Sequence, residues 1–125
     1  MSGKAKIFVL RKGKRKLLWL CRLLTTRSEL TQGIMHSPNE FTPCLFVFPI
    51  AARWRNAIHS FFCPPFDAIF VDEDFRVIEA LQVAPNNLLV VPRSKAKYLL
   101  ELPAGQANRK SVKIGEKLKF EFVQG

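Results

Sequence analysis

What the sequence has little of narrows it first. Its three cysteines, Cys21, Cys44 and Cys63, stand far apart with no CxxC pair. That spacing indicates neither a zinc knuckle nor a disulfide framework, and each thiol is expected to be a small buried hydrophobe in a reducing compartment. Only two histidines are present, His36 and His59, and no ligand spacing links them, so no metal site is expected. The apolar run Leu17 to Leu24 is too short to span a bilayer, contains Arg22, and lacks the apolar length and cleavage site of a signal peptide. The expected location is therefore cytoplasmic. Also missing are a Ser/His/Asp order, a Gly-rich phosphate loop and a paired-carboxylate motif. An enzyme is the least supported class, and no cofactor is expected.

Acid is absent from one end of the chain. Residues 1–27 carry Lys4, Lys6, Arg11, Lys12, Lys14, Arg15, Lys16, Arg22 and Arg27 and no Asp or Glu, which leaves only +1 of the net +10 to residues 28–125. The run Arg11-Lys12-Gly13-Lys14-Arg15-Lys16 suits either phosphate neutralisation or a solvated hairpin tip, since Gly13 lies between two apolar runs.

Apolar material is plentiful, with 48% hydrophobic residues and 11 Phe among 125 residues. One domain covering 1–125 with a genuine core is expected. It is organised around Cys44 to Val83, where Phe61-Phe62-Cys63-Pro64-Pro65-Phe66-Asp67-Ala68-Ile69-Phe70-Val71-Asp72 reads as strand, proline corner, strand. Ile7–Leu10 and Leu17–Leu24 read as a basic N-terminal hairpin within residues 4–22. Thr26-Arg27-Ser28-Glu29 fits a capping box opening a short helix with Leu30 and Ile34 on its apolar face, ended by Pro38. Further strands are expected at Cys44–Phe48, Ala57–Phe62, Asp67–Val71, Arg76–Val83 with a bulge near Glu79 or Ala80, Tyr98–Leu102, and Leu118–Phe122, whose alternation marks one solvated face. A helical turn is expected through Gln106–Lys110. The fold class is mainly β, sandwich or barrel-like, with one or two short helices.

Three motifs taken in order carry a resemblance. Thr26-x-x-Glu29-x-x-x-Gly33-Ile34-Met35, then Cys44 to Phe48, then Pro65-Phe66-Asp67-Ala68-Ile69-Phe70-Val71-Asp72 are similar to the domain of unknown function 192 family. Leu100-Glu101-Leu102-Pro103-Ala104-Gly105 and Ile114-Gly115-Glu116 fall where that family has its Leu-Glu-Leu-x-x-Gly and Gly-Asp elements, so the likeness covers about 20–123. It implies a mostly β, sandwich-type domain with small helices and no settled biochemical role. Ala57-Ile58-His59-Ser60-Phe61-Phe62 replaces the family's Phe-Trp-Met-Lys-Asn-Thr strand and resembles the apolar form associated with archaeal members. No Lys, Asn or Thr site carries over. Phe75 stands where the family tends to have Gly, and it is expected to use a turn that spares it a positive φ.

Two binding readings follow. In the first, a small molecule, sugar or peptide sits in a concavity of the sheet, with His59, Asp67, Asp72 and Trp54 as candidates. His59, Asp67 and Asp72 are expected on neighbouring strands, and Asp67 shares a face with Ile69 and Val71, so its buried carboxylate needs donors, expected from the proline corner. In the second, a nucleic acid meets Arg11, Lys12, Lys14, Arg15 and Lys16, with Arg53 and Arg55 beside Trp54 for stacking.

Overall fold

The computed structural model describes residues 3–124, so Met1, Ser2 and Gly125 of the expected domain lie outside the described residues. Seven strands form one mixed sheet in the order β5-β4-β6-β3-β2-β1-β7. They are β1 (Gly3–Arg11), β2 (Lys14–Leu24), β3 (Cys44–Ala52), β4 (Phe66–Val71), β5 (Val77–Val83), β6 (Ala96–Pro103) and β7 (Leu118–Gln124). Two short helices interrupt them, α1 (Arg27–Gln32) and α2 (Gln106–Arg109). The domain is mainly β, and the sheet is one rolled layer. Its edges meet at one end, where Arg76 bridges Lys117, Val77 N–H donates to the Glu116 carbonyl and Leu118 N–H to the Phe75 carbonyl.

Local chemistry explains most elements. Lys12 and Gly13, both at positive φ, form the two-residue turn that pairs Arg11 with Lys14 in a twisted hairpin. Thr26 Oγ1 accepts from Glu29 N–H while the Glu29 carboxylate accepts from the Thr26 N–H, the capping box that starts α1. β2 and β3 lie parallel because α1 and the following loop carry the chain back across the sheet.

Alternation divides the apolar residues between two cores. Inside the roll, every strand contributes, with Ile7, Trp19, Leu45, Ile69, Val71, Leu100, Leu102 and Leu118 among the members. Outside it, on the face of β4, β6 and β3, Phe46, Phe48, Phe66, Phe70 and Leu99 form a second core closed over by Ile34 and by Ile58, Cys63 and Val90 from two loops. Strands β4 and β6 are buried on both faces, which is why they read as continuous apolar runs.

Two expectations are corrected and a third is located more closely. Ala57–Phe62 is not a strand: only Ile58 pairs, with Val90. Ser60 ties the segment to the 84–87 turn, its hydroxyl donating to the Ala84 carbonyl at 2.7 Å and accepting from Asn87 N–H at 2.7 Å, and Phe62 turns out at φ 60°. The β5 bulge expected near Glu79 or Ala80 falls at Ile78, beside Glu79, where pairing steps from Glu79 to Val77 across Phe70 and Val71. Phe75 does adopt positive φ, at 65°. Its ring stacks on Tyr98 at 5.3 Å and meets Phe120 edge-on at 5.4 Å, contacts that offset the backbone cost and that no glycine would make.

Candidate functional site

The outer core is incompletely filled. Between α1, the end of β3 and the 55–63 loop lies an open pocket of about 640 Å³, in the range that holds a metabolite-sized ligand. Phe46, Phe48 and Ile58 supply apolar wall, and Arg27, Arg55 and His59 stand exposed among its lining residues. The loop wall is fixed by buried Asn56, whose Nδ2 donates to the carbonyls of Ile50 and Ala96, both at 2.8 Å. His59 Nδ1 accepts from Phe61 N–H at 3.1 Å, which leaves Nε2 as the ring's other hydrogen-bonding atom.

Glu101 is among the lining residues, projecting from β6, where it pairs with Cys44 of β3 on one side and Ala68 of β4 on the other. It is 4% exposed, and its Oε1 has no hydrogen-bond partner. Burial alone raises its pKa to about 8, so the carboxyl is largely protonated at neutral pH. Gly33, which closes α1 at φ 50°, passes over it: a Cβ there would stand 3.0 Å from Phe46 Cζ and 3.6 Å from Glu101 Oε1. A side chain at residue 33 would crowd the pocket floor. The Cys63 thiol on the same pocket is pushed up to about 11, first by burial and then by Glu101. It stays protonated and is not an activated nucleophile.

The residues singled out from the sequence separate. Only His59 and Arg55 of that set line the pocket. Asp67 points to the opposite face of the sheet, where its Oδ2 accepts from Gly105 N–H at 3.0 Å and Ala107 N–H at 2.9 Å. Its donors come from the start of α2, not from the proline corner. Asp72 caps the β4–β5 turn, its Oδ1 accepting from Asp74 and Arg76 N–H. Trp54 is 64% exposed, with the Arg53 guanidinium 5.2 Å from its ring and Arg53 Nε donating to the Pro92 carbonyl. Among the described residues no three His, Cys, Asp or Glu side chains converge as a metal site.

The basic residues divide as well. Arg11 makes a two-pronged pair with Glu116 at 3.0 and 3.1 Å and also donates to the carbonyls of Lys110 and Ser111. Arg15 lies 4.2 Å over the Phe8 ring and 3.4 Å from Glu121. Lys12, Lys14 and Lys16 are exposed and have no ion pair among the described residues. Arg53 and Arg55 follow the far end of β3, and the seven steps from Arg15 to Arg22 alone span roughly 23 Å at strand rise. The hairpin tip and Trp54 do not form one patch.

Sequence reasoning missed Glu101. It interrupts the apolar run Tyr98-Leu99-Leu100-Glu101-Leu102, and in a strand buried on both faces a lone carboxylate has nowhere exposed to go. That interruption is the signal the sequence carries.

Comparison with known proteins agrees with this architecture. Two archaeal relatives carry the name UPF0127 protein. One, from Thermococcus sibiricus, is 31% identical over 94 residues, 74% of this chain and 60% of its own length. The other, from Pyrococcus horikoshii, is 31% identical over 77 residues, 61% of this chain and 66% of its own length. The matches thus span less than two thirds of either relative. A crystal structure of a candidate transcription regulator from Sinorhizobium meliloti 1021 superposes with TM-score 0.79 at 21% identity, covering 96% of this chain and 94% of that one. A protein of unknown function from Novosphingobium aromaticivorans gives TM-score 0.76 at 21% identity, covering 91% of this chain and 83% of that one. At that identity the likeness is one of fold. The family model of DUF192, described as uncharacterized ACR, matches residues 9–120, nearly the whole length, and the chain belongs to that family.

Proposed function

We propose that this domain binds a small polar ligand in the pocket between α1 and the 55–63 loop, with Glu101 as its inner contact. The observation that carries this reading is the Glu101 Oε1 atom, buried beside a cavity with no partner. An unmatched buried carboxyl costs about 1 to 3 kcal/mol or more, and a ligand that hydrogen-bonds it recovers that cost on binding. The protonated thiol of Cys63 fits a binding pocket better than a nucleophile. Three free thiols, Cys21 and Cys44 both buried, fit a reducing cytoplasm.

The test is amide chemical-shift mapping of the ¹⁵N-labelled protein against amines, amino acids, sugars and nucleosides at millimolar concentration. Shifts should cluster at Gly33, Ala57, His59 and Cys63. Shifts confined to the β1–β2 hairpin, or none, would remove the pocket from consideration.

A second reading, nucleic-acid association, rests on Lys12, Lys14 and Lys16 at the hairpin tip, exposed and without an ion pair among the described residues.

A further inference from the structure

The charged groups around the pocket have a polarity. Arg27 and Arg55 are exposed and make no ion pair among the described residues, whereas Glu101 is buried. Cations at the mouth over an acid at the floor complement a molecule charged in the opposite order. We propose that the ligand is a zwitterion whose primary ammonium group ion-pairs with Glu101 and whose carboxylate or phosphate meets Arg27 and Arg55. This rests on the pocket being the binding site, and it adds the ligand's chemical class.

The electrostatics of the floor favour an ammonium over a neutral donor. Cys44 faces Glu101 from β3 and Cys63 from the loop, both thiols held protonated by burial, while Arg22 is engaged with the Cys44 sulfur at 3.3 Å. Among the described residues no cation pairs with Glu101, so nothing there holds its carboxylate form. An entering ammonium fills that role in a medium where charge pairs are weakly screened. The proton balance is explicit. At neutral pH the carboxyl starts protonated and the ligand starts as R–NH3+; forming the carboxylate–ammonium pair sends the Glu101 proton to the buffer. Close to one proton leaves per ligand bound, with Glu101 starting from a pKa of about 8. Apolar walls at Phe46, Phe48 and Ile58 suit a short methylene spacer between the two ends.

The experiment uses a series of ω-amino acids, β-alanine, γ-aminobutyrate, δ-aminovalerate and ε-aminocaproate, beside n-pentylamine, valerate and pentanediol. Pocket amide shifts and calorimetry in two buffers of different ionisation enthalpy are the readouts. At least one ω-amino acid should bind with near-stoichiometric proton release and roughly fivefold tighter than n-pentylamine, the contribution of an exposed arginine pair. Valerate should be silent. Glu101→Gln should weaken the amino acid on the order of a hundredfold and abolish proton release, as loss of a buried partner does. The Arg27→Ala/Arg55→Ala variant should bring the amino acid down to the affinity of n-pentylamine. If pentanediol or valerate shifts Gly33, Ala57 and Cys63 while no ammonium compound does, the ligand class is wrong and the pocket reading stands. If no compound shifts a pocket amide, both fall. Binding that survives Glu101→Gln unchanged also overturns the assignment.

Discussion

Asp67 and Glu101 are both 4% exposed and sit on adjacent strands one register step apart, with Asp67 opposite Leu102 and Ala68 opposite Glu101. That single step sends them to opposite faces of the sheet. On the inner face, Asp67 solves a problem of the fold. The helix α2 has only four residues and begins after Gly105, which has no side chain to cap it, so Asp67 supplies the acceptor from across the sheet. On the outer face, Glu101 receives no donor and borders a cavity. A buried carboxylate with its donors in place is part of the architecture, while one without them is a standing cost that the architecture alone does not explain.

The largest expected effect tests that contrast through pH. Burial raises the folded-state pKa of Glu101 to about 8 from an ordinary value of 4.5. Between those values the folded state holds a proton that the unfolded state has released, so stability falls as pH rises through the window and is flat above it. The integrated decrease is about 5 kcal/mol at 1.36 kcal/mol per pKa unit, an upper figure for a group able to draw water in through the pocket. Glu29 and Glu116, whose pKa values are lowered by hydrogen bonds from Thr26 and Arg11 respectively, act oppositely and only in acid. Urea midpoints from about pH 5 to 8 should therefore decline in the wild type and stay level in Glu101→Gln. Equal slopes in the two proteins would mean that Glu101 is solvated and the contrast with Asp67 is false.

Removing Asp67 should show the other half. Asp67→Ala strands the N–H groups of Gly105 and Ala107 and should cost about 1 to 3 kcal/mol, and Asp67→Asn, which keeps an acceptor, should cost less. Neither should move the pocket amides of Gly33 or Cys63. If Asp67→Ala perturbs those amides as strongly as Glu101→Gln does, the two faces are coupled and cannot be assigned separate roles.

Much of the fold is legible in the sequence because local chemistry and global packing agree. Lys12-Gly13 between apolar runs marks the hairpin, Thr26 and Glu29 the start of α1, and the alternation of Leu118, Phe120 and Phe122 the last strand. Alternation also turns Asp67 inward correctly. It does not supply the donor, because Gly105 and Ala107 lie about 40 residues on and only the pairing of β4 with β6 brings α2 to Asp67. Ala57–Phe62 misleads because apolar content suggests a pleat, whereas the Ser60 hydroxyl and the positive φ of Phe62 bend the chain. Phe75 misleads in the other sense: steric preference argues against its turn, and the stacking of Tyr98 and Phe120 that compensates is visible only in three dimensions. Glu101 escapes notice because it looks like part of a family element and not like an isolated charge in a buried strand.

The same partnered-or-unpartnered distinction recurs on the surface at smaller scale. Arg11 is committed to Glu116 and two carbonyls, and Lys12, Lys14 and Lys16 to nothing among the described residues. Changing the three lysines together to Ser should leave stability within about 0.5 kcal/mol, because exposed charges away from special contacts contribute little. Their effect belongs to partners instead. If the hairpin meets nucleic acid, fluorescence anisotropy with single-stranded RNA or duplex DNA should show affinity falling steeply between about 50 and 200 mM salt, and the triple variant should flatten that dependence by roughly 0.7 to 0.9 in log–log slope for each phosphate no longer neutralised. Arg11→Ser should do the reverse, costing about 1 kcal/mol of stability with little change in slope. Absence of binding at the lower salt would leave the lysines as solvated charge that keeps a basic domain soluble. The buried, unpartnered Glu101 beside the pocket would then be where, among the described residues, unsatisfied chemistry still asks for a partner.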